Sequence, residues 1–176
     1  GFSKEHWSHF AELGWLGLPF AEEDGGFGGS AIDTMIVMEA FGKGLVVEPY
    51  VSTVLMAGSA LAHAGTTAQK EGHLAAIIGG EAQASLAYIE PQARFNLNHV
   101  VTRAVPDGSD WVINGFKGVV LGAPSADLLI VSARTDGDEQ AEEGITLFIV
   151  PADAEGVSRR NYPTIDGFRA SEVTLS

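Results

Sequence analysis

The sequence contains no cysteine. Disulfides, thiolate nucleophiles and cysteine metal sites are therefore excluded together, and the absence fits an intracellular, cytoplasmic protein. Basic residues are scarce: 10 Lys and Arg face 23 Asp and Glu, a formal net charge of −13 over 176 residues. Such a surplus argues against unaided binding to nucleic acid or to an anionic membrane. It is shared between the halves, with 3 basic and 10 acidic residues in 1–84 and 7 and 13 in 85–176. An anionic small ligand must then be held by local groups or by a partner chain. No apolar run approaches the roughly 18 residues that span a bilayer. The N-terminal Gly-Phe-Ser-Lys-Glu-His has neither an initiator Met nor a signal-peptide pattern, and the C-terminal Ala170–Ser176 stops inside what reads as a strand. A segment of a longer protein is the expectation.

What is present is a globular composition, 45% hydrophobic and 19% charged, with enough chain to bury a core. The punctuation changes near Gly79-Gly80-Glu81. Before it, Ala and Gly interrupt runs with helical spacing. Ser3 caps a helix to about Leu13, with Trp7 and Phe10 on one face. Ser30 with Asp33 caps a second, stopped by Gly42 or Gly44. Pro49 opens a third, Tyr50 to Ala64, ending at Gly65. Thr66 with Gln69 forms a capping box for a fourth, which directs Leu74, Ile77 and Ile78 to a core. After the changeover the period is two. Strands are expected at Leu86–Ile89, Val100–Ala104, Trp111–Asn114, Lys117–Val120, Leu128–Ala133, Ile145–Val150 and Val173–Ser176. Asp107-Gly108 and Asn114-Gly115 read as hairpin turns, and residues 136–143 as a solvated acidic loop. The fold class is α+β: an N-terminal α-helical domain, 1–84, followed by an antiparallel β-barrel-like domain, 85–176.

Few residues carry chemistry by themselves. The loop Glu22-Glu23-Asp24-Gly25-Gly26-Phe27-Gly28-Gly29 resembles a phosphate cradle only in glycine content. It lacks the following Lys-Ser/Thr of a P-loop and the preceding strand of a dinucleotide turn, and its three acids repel phosphate. No pair among His6, His9, His63, His73 and His99 has metal spacing with a supporting acid. No Gly-x-Ser-x-Gly elbow is present. Glu90, after an apolar strand and before Pro91, has two readings: a buried base with a shifted pKa, or an acid that bonds loop amides where the strand ends. Residue chemistry alone gives no self-contained catalytic site.

A set of motifs in fixed order resembles the acyl-CoA dehydrogenase family. Glu12–Pro19 with Glu22–Gly28 is similar to the family's N-terminal Glu-Leu-Gly and Glu-Glu-x-Gly-Gly run, and Gly65–Lys70 with Gly80-Glu81 to the helix before the β-domain. Glu90-Pro91 matches its Thr-Glu-Pro, and Trp111–Lys117 its Tyr-Val-Leu-Asn-Gly-x-Lys. Ala126-Asp127, Ala133–Thr135 and Gly144–Val150 complete the pattern, which covers essentially the whole chain.

The resemblance implies α,β-oxidation of an acyl-CoA thioester in fatty acid metabolism, with FAD as hydride acceptor and an electron-transfer partner. It further implies assembly as a homotetramer or other homo- or hetero-oligomer. In most members the catalytic base lies in a C-terminal helical domain that this sequence does not contain, so no catalytic residue is assigned. Two segments are implied to cover the flavin: Leu86, Ala87, Tyr88 and Ile89, and Val119, Val120 and Leu121. Ile89 and Leu121 stand where the family carries Thr, and Val119 where it carries Trp. These groups stack on a ring but donate no hydrogen bond. Backbone amides at Leu121 and Gly122 are the expected replacements. Arg94 and Phe95 replace a Gly-Ser pair at the implied mouth of the acyl-CoA pocket. Arg94 is either a solvated arginine or a fork for a substrate carboxylate or phosphate, and Phe95 narrows the pocket. Two further roles follow from the departures: a flavin oxidase or monooxygenase on the same fold, or a non-catalytic partner subunit of a hetero-oligomer.

Overall fold

Hydroxyl side chains start the helices where the spacing predicts them. Ser3 Oγ accepts from His6 N–H and opens α1, Lys4–Glu12, which buries Trp7 and Phe10. Ser30 and Asp33 form a reciprocal capping box at the start of α2, Ala31–Gly44. The hydrogen bonds from Ser30 hold the Asp33 carboxyl below its ordinary pKa. Thr66 and Gln69 do the same for α4, Thr67–Gln69, which follows α3, Ser59–Ala64. A short α5, Ala75–Ile78, closes the helical series. The computed structural model describes residues 2–176. It divides into two units: the residues up to Ala84 with Ile165–Phe168, and Ser85–Thr164 with Arg169–Ser176.

Three details of the helical unit differ from the sequence pattern. The regular helix expected over Tyr50 to Ala64 begins instead as a π-helix, Val51–Gly58, and a second π segment, Lys70–Leu74, joins α4 to α5. Residue types do not distinguish the wider turn from an α-helix, so the pattern carries no signal for it. The C-terminal stop of α2 is Leu45, in the left-handed region at φ 51°, rather than a glycine, the residue that adopts this conformation without a Cβ penalty. The core is a ring cluster: Phe10 stacks on Phe41 at 5.0 Å and contacts Trp15 at 5.1 Å, while Tyr50 meets Phe41 edge-on. Tyr50 donates its hydroxyl to Trp15 O, and burial pushes its pKa up to about 12.

The amides of residues 25–29 in the glycine-rich loop are already engaged within the chain. The N–H groups of Gly26, Phe27, Gly28 and Gly29 donate to carbonyls of Ala21, Gly17, Phe20 and Leu18 at 2.7–3.1 Å. The loop is a clasp on its own preceding turn.

The second unit is an open, mostly antiparallel sheet. Its strands are β1 (Ala84–Ala87), β2 (Arg103–Asp107), β3 (Asp110–Leu121), β4 (Leu128–Arg134), β5 (Ile145–Pro151), β6 (Val157–Pro163) and β7 (Arg169–Leu175). The order is β1-β4-β2-β3-β7-β6, with β5 also paired to β4. The β2–β4 pairing is parallel, and the pairings β2–β3, β3–β7, β4–β5 and β6–β7 are antiparallel. Ala87, Val120, Leu129, Val131, Val173 and Leu175 lie in its core. The turn at Gly108 is as expected, with φ 63° and Asp107 opposite Asp110. Asn114-Gly115 is not a turn: it lies inside the single long strand β3. Gly115 is needed there because a Cβ would come within 2.6 Å of the Thr102 side chain. The strand expected at Val100–Ala104 starts later, at Arg103, and β6 is an addition that its polar sequence, Val-Ser-Arg-Arg-Asn-Tyr-Pro, conceals.

Gly115→Ala is expected to destabilise the protein by about 1–3 kcal/mol, because the added methyl has no room. Gly42→Ala in α2, where nothing lies within 4 Å of the new Cβ, should stabilise by about 0.5–1 kcal/mol through helix propensity. Thermal unfolding of the two variants against the parent protein measures both signs.

Candidate functional site

An extra residue in β3 shapes the site. From Gly115 to Lys117 the strand pairs with Leu175 to Val173 of β7; beyond it, Val120 pairs with Ser171. Gly118 and Val119 therefore oppose the single residue Glu172, which is a β-bulge. Strand alternation would place Lys117 and Val119 on one face. The bulge instead keeps Lys117 and Val120 inside, both at 0% exposure, and leaves Val119 and Leu121 at 38% and 36%.

The bulge is held from two sides. Gly118 N–H donates to Ile89 O at 2.9 Å, and Tyr162 Oη donates to Gly118 O at 3.2 Å. A Cβ at Gly118 would meet the Pro91 ring at 3.3 Å, so glycine permits this close approach. One residue on, the same two segments are joined by a buried ion pair. Lys117 Nζ lies 2.6 Å from Glu90 Oε1 and 3.1 Å from Ser132 Oγ of β4. Glu90 is 3% exposed and accepts further bonds from Thr102 N–H, Val101 N–H and Gln92 Nε2 at 2.7–3.2 Å.

Those partners decide between the two readings of Glu90. Burial by itself raises its pKa, but the hydrogen bonds from Lys117, Thr102 and Val101 and the Lys117 charge outweigh it and hold the carboxyl at about 2. A carboxylate so placed is a poor proton acceptor at neutral pH, and the general-base reading is corrected. It bonds loop amides, as its position at a strand end suggested, with a buried ammonium added. Burial lowers the Lys117 pKa, and Glu90 opposes that shift.

The sequence-predicted residues distribute unevenly. Ala87 and Val120 are in the hydrophobic core, so their side chains are not on the surface. Leu86, Tyr88 and Ile89 are half-buried, and Val119 and Leu121 are exposed. The Ile89–Gly118 hydrogen bond brings the two segments together. The Gly122 amide, a candidate replacement donor, is already engaged: it bonds Arg169 O at 2.9 Å. Arg94 and Phe95 sit in a turn built on Glu90, whose carbonyl accepts from Ala93 N–H, while Ala93 O accepts from Asn96 N–H. Arg94 has φ 50°, a left-handed conformation that glycine favours. Phe95 is 99% exposed. A groove of about 430 Å³ does exist, lined by Trp111, Ile113, Phe148, Val150, Val157 and Leu175. It lies at the other end of β3 and includes none of the predicted residues.

Exposed Val119 and Leu121, with half-buried Leu86, Tyr88 and Ile89 on the segment bonded to the bulge, fit the face of a flat aromatic ring through dispersion contacts. Among the seven residues of the two segments only Tyr88 carries a side-chain hydrogen-bond donor. Sequence reasoning missed Lys117, Gly118, Ser132 and Tyr162. Lys117 had a signal, as the last residue of an Asn-Gly-x-Lys run. Tyr162, on the polar strand β6, had none.

Comparison with known proteins adds the family. Residues 1–81 match the model for the acyl-CoA dehydrogenase N-terminal domain and residues 85–176 that for its middle domain. The probable acyl-CoA dehydrogenase YngJ of Bacillus subtilis is 34% identical over 159 residues, covering 89% of this chain and 42% of that protein. The ChsE4–ChsE5 complex from Mycobacterium tuberculosis superposes with a TM-score of 0.88 at 32% identity, over 98% of this chain and 45% of the matched chain. The FAD complex of PigA superposes with a TM-score of 0.90 at 25% identity, over 99% of this chain and 47% of the other. This chain thus spans about two-fifths of the curated relative's length. No helix among the described residues is long and apolar enough to cross a membrane.

Because the folded Glu90 carboxyl is held near 2, against an ordinary value of 4.5, its stabilisation is present above the unfolded pKa and is lost as pH falls from about 4.5 through 2. Lys117 stays charged over that window in folded and unfolded states and adds no slope. Acid unfolding should therefore be steeper between pH 5 and 2 in the parent than in Glu90→Gln, which denaturant midpoints measured across that range test.

Proposed function

The chain belongs to the acyl-CoA dehydrogenase family, a family of oxidoreductases, and from that premise we propose that it supplies one wall of an FAD site in a protein that oxidises the α,β bond of an acyl-CoA thioester. The observation that carries the reading is the Ile89–Gly118 hydrogen bond at the β3 bulge. It joins the two segments that the family resemblance assigns to the flavin, and the bulge leaves Val119 and Leu121 exposed beside it. FAD supplies the hydride acceptor when bound. The part of this chain is to present aliphatic surface to the ring, exclude water from it and withhold side-chain donors at Ile89 and Leu121. Reduced flavin carries developing negative charge, so a wall without donors favours a low reduction potential. Electrons then leave through a separate electron-transfer partner.

The exposed Ile32, Met35 and Ile36 of α2 support assembly with further helices or subunits, since such apolar surface is costly in water. A second reading, a non-catalytic subunit of a hetero-oligomer, draws on the similarity to the ChsE4–ChsE5 complex and on the loss of both hydroxyls. Turnover of acyl-CoA by the whole protein alone, and only with a co-expressed homologue, separates the two.

In the whole protein, Leu121→Thr should raise the flavin potential by about 10–30 mV, the two-electron equivalent of one ordinary hydrogen bond. Val105→Thr on β2, half-exposed and away from the bulge, should leave it unchanged. Spectroelectrochemical titration reads both, and equal shifts would remove the wall assignment.

We assign Arg94 and Phe95 to the acyl-CoA side of the site. Arg94 makes no salt bridge within 4.0 Å among the described residues, and a guanidinium fork suits a carboxylate. Arg94→Ala should raise KM for a dicarboxylyl-CoA roughly tenfold or more and that for a simple acyl-CoA far less. Equal effects on the two substrates would leave Arg94 as a solvated surface residue.

A further inference from the structure

Two connections join the same pair of segments at adjacent positions. The backbone bond links Ile89 to Gly118, and the buried ion pair links Glu90 to Lys117. Gln92 and Val101 bond one oxygen of Glu90, and Lys117 and Thr102 the other. Each oxygen thus has two donors, which fixes the carboxylate in position as well as in charge. Lys117 is fixed in turn by Ser132 on β4. Both groups are buried, at 0% and 3% exposure. A movement of the 86–91 segment relative to the bulge must break an ammonium–carboxylate contact inside the protein, where separated charges are heavily penalised.

We infer that Lys117 and Glu90 are positioning residues for the flavin wall: their buried pair locks the 86–91 segment to the β3 bulge and sets the spacing of Ile89, Val119 and Leu121. The inference rests on the proposed reading of these residues as that wall. Neither group reaches the ring, since the bulge places Lys117 inside while Val119 and Leu121 face out. Their effect passes through the residues they hold, in the way that supporting residues fix the geometry of a binding site.

The test uses the whole protein in four forms: parent, Val119→Asp, Lys117→Met, and Lys117→Met with Glu90→Gln. FAD affinity, the visible absorption bands of bound flavin and the thermal midpoint are measured for each. Val119→Asp leaves the pair untouched and reports on the wall itself. Lys117→Met strands a buried carboxylate and is expected to lower the thermal midpoint strongly. The double variant removes both charges, so its thermal midpoint should return close to the parent's. If the pair only stabilises the fold, FAD affinity and spectrum return with it. If the pair positions the wall, FAD binding in the double variant stays weaker by roughly tenfold or more and the flavin bands stay shifted. An affinity within twofold of the parent, with an unshifted spectrum, would overturn the inference. Val119→Asp with parental FAD affinity would instead overturn the wall reading, and the positioning role with it.

Discussion

A lysine ammonium and a glutamate carboxylate buried together at 2.6 Å are the constraint around which the β-unit is arranged. Moving two such charges out of water costs several kcal/mol each, and their attraction offsets this only when the remaining donors and acceptors are also satisfied. Here they are. The carboxylate collects four donors from Lys117, Thr102, Val101 and Gln92, and the ammonium reaches Ser132 as well. Those partners come from the chain after β1, the approach to β2, and strands β3 and β4. The pair therefore gathers segments that the sequence separates by up to 42 residues, from Glu90 to Ser132.

The bulge and the pair explain one another. Lys117 must point inward to meet Glu90, and Val120 must point inward to fill the core beside Ala87 and Val173. Those two positions differ by three, an odd number, so an unbroken strand would put them on opposite faces. The extra residue at Gly118-Val119 resolves the conflict. It also exposes Val119 and Leu121 together and turns the Gly118 amide to Ile89 O. Surface chemistry at this place is thus a consequence of two interior requirements.

Much of this was legible in the residues. The helix starts at Ser3, Ser30 and Thr66 follow from side chains that bond their own backbone a turn later, a local signal that tertiary context did not override. The α-then-β order followed from a change of period, and the resemblance rested on motifs spread through the whole chain. What was hidden depends on partners distant in sequence. Asn114-Gly115 has the composition of a hairpin turn, yet its glycine makes room for Thr102 on the approach to β2. Strand β6 is polar because it pairs with one neighbour, β7, and stays largely exposed. Glu90 was visible as a candidate but its role was not, because the choice between base and structural acid lay in donors 11 to 27 residues away. The bulge was invisible for the same reason: register is a property of two strands, and a single strand's alternation does not reveal where its neighbour slips.

Arg134 shows that the same unit buries a second cation by the opposite means. The residue is 1% exposed and its guanidinium has no carboxylate partner among the described residues; it donates instead to the carbonyls of Val100, Asp136, Glu143, Asn98, Glu139 and Ala141. The planar fork with five N–H groups can reach six acceptors spread around it when one N–H is shared between two carbonyls, whereas an ammonium with three cannot. The acidic 136–143 loop thereby folds its carbonyls over a positive charge while its acidic side chains stay exposed. Lysine at 117 needs one strong counter-charge and gets it from Glu90, which ties one strand to one chain segment. Arginine at 134 needs many weak acceptors and gets them from a whole loop. The choice of cation follows from what must be held: a fixed spacing at the bulge, and a closed loop at the far end of β4.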